Sequence, residues 1–153
     1  MRLSLIAVGR SRGGPERTLQ DHYAGRIAAW PLEIREVEEK KKLSGDALKA
    51  AEAALIRRAI PDRAAIVALD ERGRAISSRE LAAALQRWQD DGVADVAFVI
   101  GGADGLDAGL RTEAAMTLSF GRATWPHQLA RAMLLEQLFR AQSILANHPY
   151  HRD

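Results

Sequence analysis

Close to its start the chain has an apolar run, Leu3 to Val8, interrupted only by Ser4, which gives way to Gly9, Gly13, Gly14 and Pro15. A short apolar run bounded by turn residues predicts a buried strand followed by a loop. A helix is expected from Glu16 to Ala29, stopped by Pro31, after which Leu32, Ile34 and Val37 alternate with charges as a more exposed strand. The charged run from Glu38 to Lys42 reads as a solvated connection. Ser44 is placed to cap a helix reaching Ile60, with Pro61 as its stop. Ala64 to Leu69 predicts a third strand that ends in the turn-forming segment Asp70-Glu71-Arg72-Gly73. Ser77 or Ser78 starts a helix running to about Asp91, with Leu81, Ala84, Leu85 and Trp88 at helical spacing and Gly92 at its end. Val96 to Ile100 is a continuous apolar strand, Met116 to Phe120 a fifth, and a long helix fills Gln128 to Ala146 behind Pro126.

Strands alternating with helices predict an α/β fold, a parallel sheet covered by helices on both faces, with residues 1–153 forming a single domain. In such sheets ligands bind outside the carboxyl ends of the strands. The loops after Leu69, Ile100 and Phe120 are therefore expected to share one crevice. The last helix carries Leu129, Met133, Leu134, Leu135, Leu138, Phe139 and Leu145, more apolar surface than a single stripe. It is either a central core helix or one that also meets a second copy of the chain in a symmetric dimer.

Composition narrows the chemistry. With 153 residues and 47% apolar content the chain has room for a real core and is not a disordered segment. Twenty-two Lys and Arg against twenty Asp and Glu leave a net charge of +2, too balanced for binding nucleic acid by charge alone. Arg10, Arg12 and Arg17 around the first loop are candidate phosphate contacts, with surface solubility as their competing role. Cysteine is absent, which excludes disulfides, thiolate nucleophiles and cysteine-ligated metals. The opening apolar run is too short for a signal peptide or a membrane span, so a cytoplasmic location is expected.

Two loops and the terminal segment carry the candidate chemistry. Gly101, Gly102 and Gly105 follow a strand, where positive φ or a missing side chain lets a flat ligand approach the backbone. Their G-G-x-x-G spacing is neither a dinucleotide fingerprint nor a P-loop, and a tight turn would use the same glycines for geometry alone. The segment Phe120-Gly121-Arg122-Ala123-Thr124-Trp125 offers free main-chain groups suited to reading an adenine, and Thr124 is positioned to cap the helix that Pro126 begins. His127 is a proton acceptor near the crevice or a partner for loop backbone. In the tail Asn147-His148-Pro149-Tyr150-His151-Arg152, Tyr150 can stack on a base and Arg152 can hold a phosphate or a carbonyl oxygen. His148 and His151, split by Pro149 and lacking a third ligand, do not make a metal site.

These segments, in this order, resemble one family over essentially the whole chain. Leu5-Ile6-Ala7-Val8-Gly9, Leu69-Asp70, Ile100 to Leu106, Pro126-His127-Gln128 and Asn147 to Arg152 are similar to the bacterial ribosomal RNA large-subunit methyltransferase H family, minimal enzymes of the SPOUT class. The resemblance implies a deep trefoil knot near the carboxyl end and a homodimer. It implies S-adenosylmethionine as cofactor, held by Leu69, Gly101, Gly102 and Phe120, Gly121, Arg122, Ala123, Thr124 and Trp125. The implied reaction is methylation of N3 of a pseudouridine in large-subunit ribosomal RNA, with the partner subunit's tail helping to complete the site. His151, Arg152 and Tyr150 are the catalytic candidates, and Arg10, Arg12, His127 and His148 the substrate contacts. With no separate RNA-binding domain, the assembled ribosome is the expected partner. Two positions depart from the pattern: Ala103-Asp104 is a variable pair, and Trp125 is bulkier than the aliphatic residue expected before Pro126. A SPOUT enzyme acting on transfer RNA or another ribosomal position, and a non-catalytic nucleotide-binding module, are the alternatives.

Overall fold

A computed structural model describes residues 1–152. Its elements run β1 (Arg2–Val8), α1 (Pro15–Ala24), β2 (Leu32–Val37), α2 (Gly45–Ala59), β3 (Ala65–Ala75), α3 (Ser78–Asp90), β4 (Asp95–Ile100), α4 (Ala108–Glu113), β5 (Met116–Ser119) and α5 (His127–Leu145). The five strands form one parallel sheet in the order β2-β1-β4-β3-β5.

The period-2 alternation of the central strands divides the core into two layers. Val96, Phe98 and Ile100 of β4 face Leu134, Leu135 and Leu138 of α5 and Leu81 and Leu85 of α3. The intervening Ala97 and Val99 face Ala53 and Ile56 of α2 and Leu110 of α4. Both faces of β4 are covered, which is why its sequence reads as a continuous apolar run. Burying each of these Val, Leu, Ile and Phe side chains contributes about 1.5–3 kcal/mol before the cost of ordering them. Within the chain α5 is a core helix lying between α1 and α3.

The elements expected from the sequence are present, with differences that have physical causes. The first helix stops at Ala24 rather than Ala29, because the amides of Ala28 and Ala29 donate instead to Gln142 Oε1 of α5, at 2.7 and 2.8 Å. The third strand does not end at Leu69. A bulge follows, and pairing with β5 resumes at Arg74 and Leu118. Gly73 permits that approach: a Cβ there would lie 2.7 Å from the carbonyl carbon and oxygen of Thr117. Ser77 caps α3 in a reciprocal box with Glu80, whereas Ser44 stands at the start of α2 without a side-chain bond. The short helix α4 is not visible in the hydrophobic pattern; Asp107 caps it by accepting from the Leu110 amide at 3.2 Å. Thr124 does not cap α5, whose first flanking residue is Pro126. Its hydroxyl donates across to Glu71 Oε2 at 3.1 Å, tying the loop after β5 to the extension of β3.

Candidate functional site

A cleft of about 280 Å³ opens at the carboxyl ends of β3, β4 and β5. The loops after these three strands do converge there. Its apolar floor comes from Leu69, Ile100, Leu106, Leu118 and Phe120, and its rim from the glycine loop 101–105 and the segment Gly121 to Trp125. Asp70, Glu71, Asp104, Lys49, Arg72 and Arg111 add charge of both signs. Arg111 also bonds the Leu106 carbonyl at 3.0 Å and approaches Asp70 at 3.4 Å, so α4 braces the glycine loop against β3.

The glycines work mainly by what they lack. Of Gly101, Gly102 and Gly105, only Gly105 takes positive φ, at +84°. Gly101 is required by close approach, since a Cβ would sit 2.7 Å from the carbonyl of Gly105 across the loop. At Gly102 a Cβ would meet Glu52 Oε2 at 2.9 Å and Val8 Cγ1 at 3.1 Å. A carboxyl group from α2 is thus pressed against the inner side of the loop whose outer side lines the cleft. Glu52 is buried, and its Oε1 has no hydrogen-bond partner among the described residues. Burial, then the nearby negative charges of Asp104 and Glu39, push its carboxyl above the usual range.

His127, the first residue of α5, lines the cleft. Burial, with a smaller contribution from the Arg131 guanidinium, lowers its pKa and favours a neutral imidazole. Arg131 itself is 1% exposed and reaches under the end of β1, donating to Gly9 O at 3.0 Å and Val8 O at 3.4 Å and lying 3.6 Å from Glu36. It fixes the start of α5 to the carboxyl end of the sheet.

The terminal segment lies elsewhere. The Tyr150 hydroxyl donates to Glu136 Oε1 at 3.0 Å, and its ring meets Phe139 edge-on with centroids 4.6 Å apart. The guanidinium groups of Arg140 and Arg26 lie 4.8 and 5.6 Å from the ring centroid. Burial first, then hydrogen bonds with Tyr23 and Glu136, pushes its phenol up to about 12. Arg140 Nη1 lies 3.3 Å from His151 Nδ1. A guanidinium only donates, so Nδ1 accepts, and a neutral His151 carries its proton on Nε2. His148 Nδ1 accepts from the Tyr150 amide at 3.2 Å, and Arg152 is exposed. Glu136 and Arg140 stand nine and thirteen residues along α5 from His127, about 14 and 20 Å at a helical rise of about 1.5 Å per residue.

Among the residues singled out from sequence, Leu69, Gly101, Gly102, Phe120, Gly121, Ala123, Thr124, Trp125 and His127 meet in the cleft. Arg122 does not line it and is exposed. Trp125 is 43% exposed at the mouth, its indole N–H donating to Phe120 O at 3.2 Å. Arg10 and Arg12 are exposed near the end of β1, Arg10 lying 3.5 Å from Glu38. Arg17 is paired with Asp21 at 2.9 Å on α1. Tyr150, His151 and Arg152 are brought together with one another but not with the cleft of their own chain. Sequence reasoning missed Glu52, Arg131 and Lys49. The signal for the first two was a charged residue inside an apolar stretch, Glu52 before Ala53 and Ile56, and Arg131 beside Ala132 and Leu134.

Comparisons with known proteins bear on the whole chain. The family described as "Predicted SPOUT methyltransferase" matches residues 1–151. Ribosomal RNA large subunit methyltransferase H of Rhodospirillum centenum is 54% identical over 152 residues, covering 99% of each chain. The protein of the same name from Paramagnetospirillum magneticum is 53% identical, again over 99% of each. Among solved structures, a probable methylase family protein from Haemophilus influenzae aligns with a TM-score of 0.60 at 14% identity, over 99% of this chain and 70% of that one. The SpoU methyltransferase AviRb from Streptomyces viridochromogenes, solved with the cofactor AdoMet, aligns at 0.50 and 16% identity, over 92% of this chain and 58% of the other. At such identities these structures speak to the fold alone.

Proposed function

The chain belongs to the SPOUT methyltransferases and, within them, to the ribosomal RNA large subunit methyltransferase H family, and on that premise we propose that it methylates N3 of a pseudouridine in large-subunit ribosomal RNA, using S-adenosylmethionine. The observation that carries this reading is the convergence of the loops after β3, β4 and β5 on one cleft with an apolar floor and an amide-rich rim. Such a lining suits an adenosine, which Leu69, Leu118 and Phe120 would hold by apolar contact and the loop main-chain groups would recognise by hydrogen bonds. The missing side chains at Gly101 and Gly102 let the loop fold tightly on itself and onto Glu52 and Val8, which holds its backbone at the cleft wall.

S-adenosylmethionine supplies an activated methyl group whose S–C bond breaks as the N–C bond forms, leaving a neutral thioether while the N3 proton is released. The chain's own residues must align the acceptor nitrogen and favour its anion. Arg152 is an exposed cation that can face a base carbonyl, and His151, whose Nδ1 faces the Arg140 guanidinium, suits a positioning role better than proton abstraction through that nitrogen. Tyr150, held by Glu136 and Phe139, anchors the tail that presents them.

The same reading includes a homodimer. The tail docks about 14–20 Å along α5 from His127 in the cleft of its own chain, so a second copy is the source of a tail for each cleft. A trefoil knot involving the segment after β5 belongs to this reading as well. The assembled ribosome is the favoured substrate, because the small chain with a net charge of +2 has little charge with which to select free RNA.

The test is transfer of labelled methyl to ribosomes lacking the modification, beside free ribosomal RNA and transfer RNA. Label on a large-subunit pseudouridine, seen with ribosomes, is the expected result. Label on transfer RNA alone overturns the target. Mixing a cleft-defective with a tail-truncated subunit should restore activity if each site draws on two chains, and no restoration would refute the shared site.

A further inference from the structure

The residue left over by this account is Glu52. It is 7% exposed, it faces Gly102 beside Val8, and its Oε1 has no hydrogen-bond partner among the described residues. An unpaired carboxylate in such surroundings lowers stability, and an alanine or glutamine would fill the position more cheaply. The groups facing it do not offset its charge. Asp104, from the glycine loop, and Glu39, from the connection between β2 and α2, are both acidic. Lys49, one turn back on α2, lies on the cleft wall and 3.7 Å from Asp46. Acidic groups therefore flank the loop 101–105 on both sides, Asp104 on the cleft side and Glu52 behind the Gly102 backbone.

We propose that Glu52 is the residue by which the cleft distinguishes a cationic methyl donor from its neutral product. The inference rests on the methyltransferase reading and adds a specificity element to it. Donor and product share the adenosine and the amino-acid tail, and differ at the sulfur, which is a sulfonium with its methyl and a thioether without it. Contacts to the shared parts hold both molecules equally. A fixed negative charge one residue behind the cleft wall favours only the first, in a setting where burial limits screening by salt. Methyl transfer removes the positive charge, so the attraction ends with the reaction and the product is released more readily. Retaining a destabilising carboxylate behind the cofactor loop is the kind of local cost that a functional site keeps.

The sign of the pH dependence follows from the same geometry. Binding a cation favours ionised Glu52, so affinity for the donor should rise with pH through the titration of Glu52, while affinity for the product should not. In the unliganded protein the raised pKa has the opposite consequence for stability. The contribution is complete below the unfolded-state pKa and is lost as pH rises through the folded one.

The experiment is calorimetric titration of the full-length protein and of Glu52→Gln with S-adenosylmethionine and with S-adenosylhomocysteine, across pH 5 to 9. The isosteric variant should fold at least as stably as the parent, checked by thermal unfolding. In the parent, the ratio of product Kd to donor Kd should rise with pH; in Glu52→Gln the ratio should be flat and about five- to tenfold lower at high pH. A ratio that is unchanged by the substitution and by pH overturns the inference while leaving the methyltransferase reading in place. Failure of the parent to bind either ligand overturns that reading and this inference with it.

Discussion

The cleft, at the start of α5, and the tail cluster, packed on that helix from its midpoint to Arg140, are built from different materials. The cleft is mostly backbone: glycines without side chains, an apolar floor, and loops bonded to one another through Glu71, Thr124 and Ser119. The tail cluster is all side chain: a phenol on a carboxylate, a ring against a ring, and guanidinium groups over aromatic faces. A main-chain site is fixed once the sheet is formed, because its groups cannot leave without breaking strand ends. A side-chain site on a terminal segment is held by a few contacts worth roughly 0.5–3 kcal/mol each, and can be placed differently when a substrate or a second chain arrives. The proposed function would thereby give ligand binding to the rigid cleft and substrate chemistry to the adaptable tail.

The sharpest way to separate the two ends is to end the chain before His148. Methyl transfer should fall by about a hundredfold or more, the usual scale for removing positioned polar groups, while cofactor affinity stays within about twofold. Retained activity would show that the tail does not take part. The reciprocal change is Gly102→Val. Its side chain must displace Glu52 and Val8 or lift the loop, so cofactor affinity should drop about tenfold or more and stability by about 1–3 kcal/mol. Normal binding in calorimetry would return the glycine to a purely structural role.

A smaller effect is expected where the two ends share an element. Arg131→Met keeps the bulk but leaves the Val8 and Gly9 carbonyls without their donor, which should cost about 1–3 kcal/mol in urea unfolding. If the start of α5 shifts with it, cofactor affinity falls too; an unchanged midpoint would show that water replaces the guanidinium without loss. The mildest probe is Tyr150→Phe. Losing the bond to Glu136 should cost about 0.5–1.5 kcal/mol, with the larger consequence for methyl transfer rather than for cofactor binding. In the parent, the phenol's pKa of about 12 exceeds its ordinary value. Its contribution to stability is thus complete below about pH 10 and lost between about pH 10 and 12. Ultraviolet titration of the phenol and unfolding at pH 9 and 11 would check that window, and a Tyr150 signal titrating near pH 10 would contradict it.

Much of this was open to reading from the chain alone, for a specific reason. Strand and helix periods are local, so β1, β2, β4 and β5 and the long helices follow from apolar spacing within a few residues of each boundary. Loops at strand ends are local too, and the rule that α/β ligands sit at carboxyl ends brings Leu69, Gly101 and Phe120 to one place, the cleft where they meet. Interactions between distant segments were not legible. The extension of β3 past its bulge depends on Gly73 meeting Thr117, and the early end of α1 on the reach of Gln142. Thr124 looked like a helix cap because its true partner, Glu71, lies 53 residues away. Arg122, inside the loop that carries the cleft, points out of it. Which residues line the strand ends was determined by the sequence alone, because backbone periodicity is local. Only the tertiary structure decided that Glu52 stands uncompensated behind Gly102 and that the tail rests on Glu136, Phe139 and Arg140, because the burial and pairing of a charge depend on every element around it.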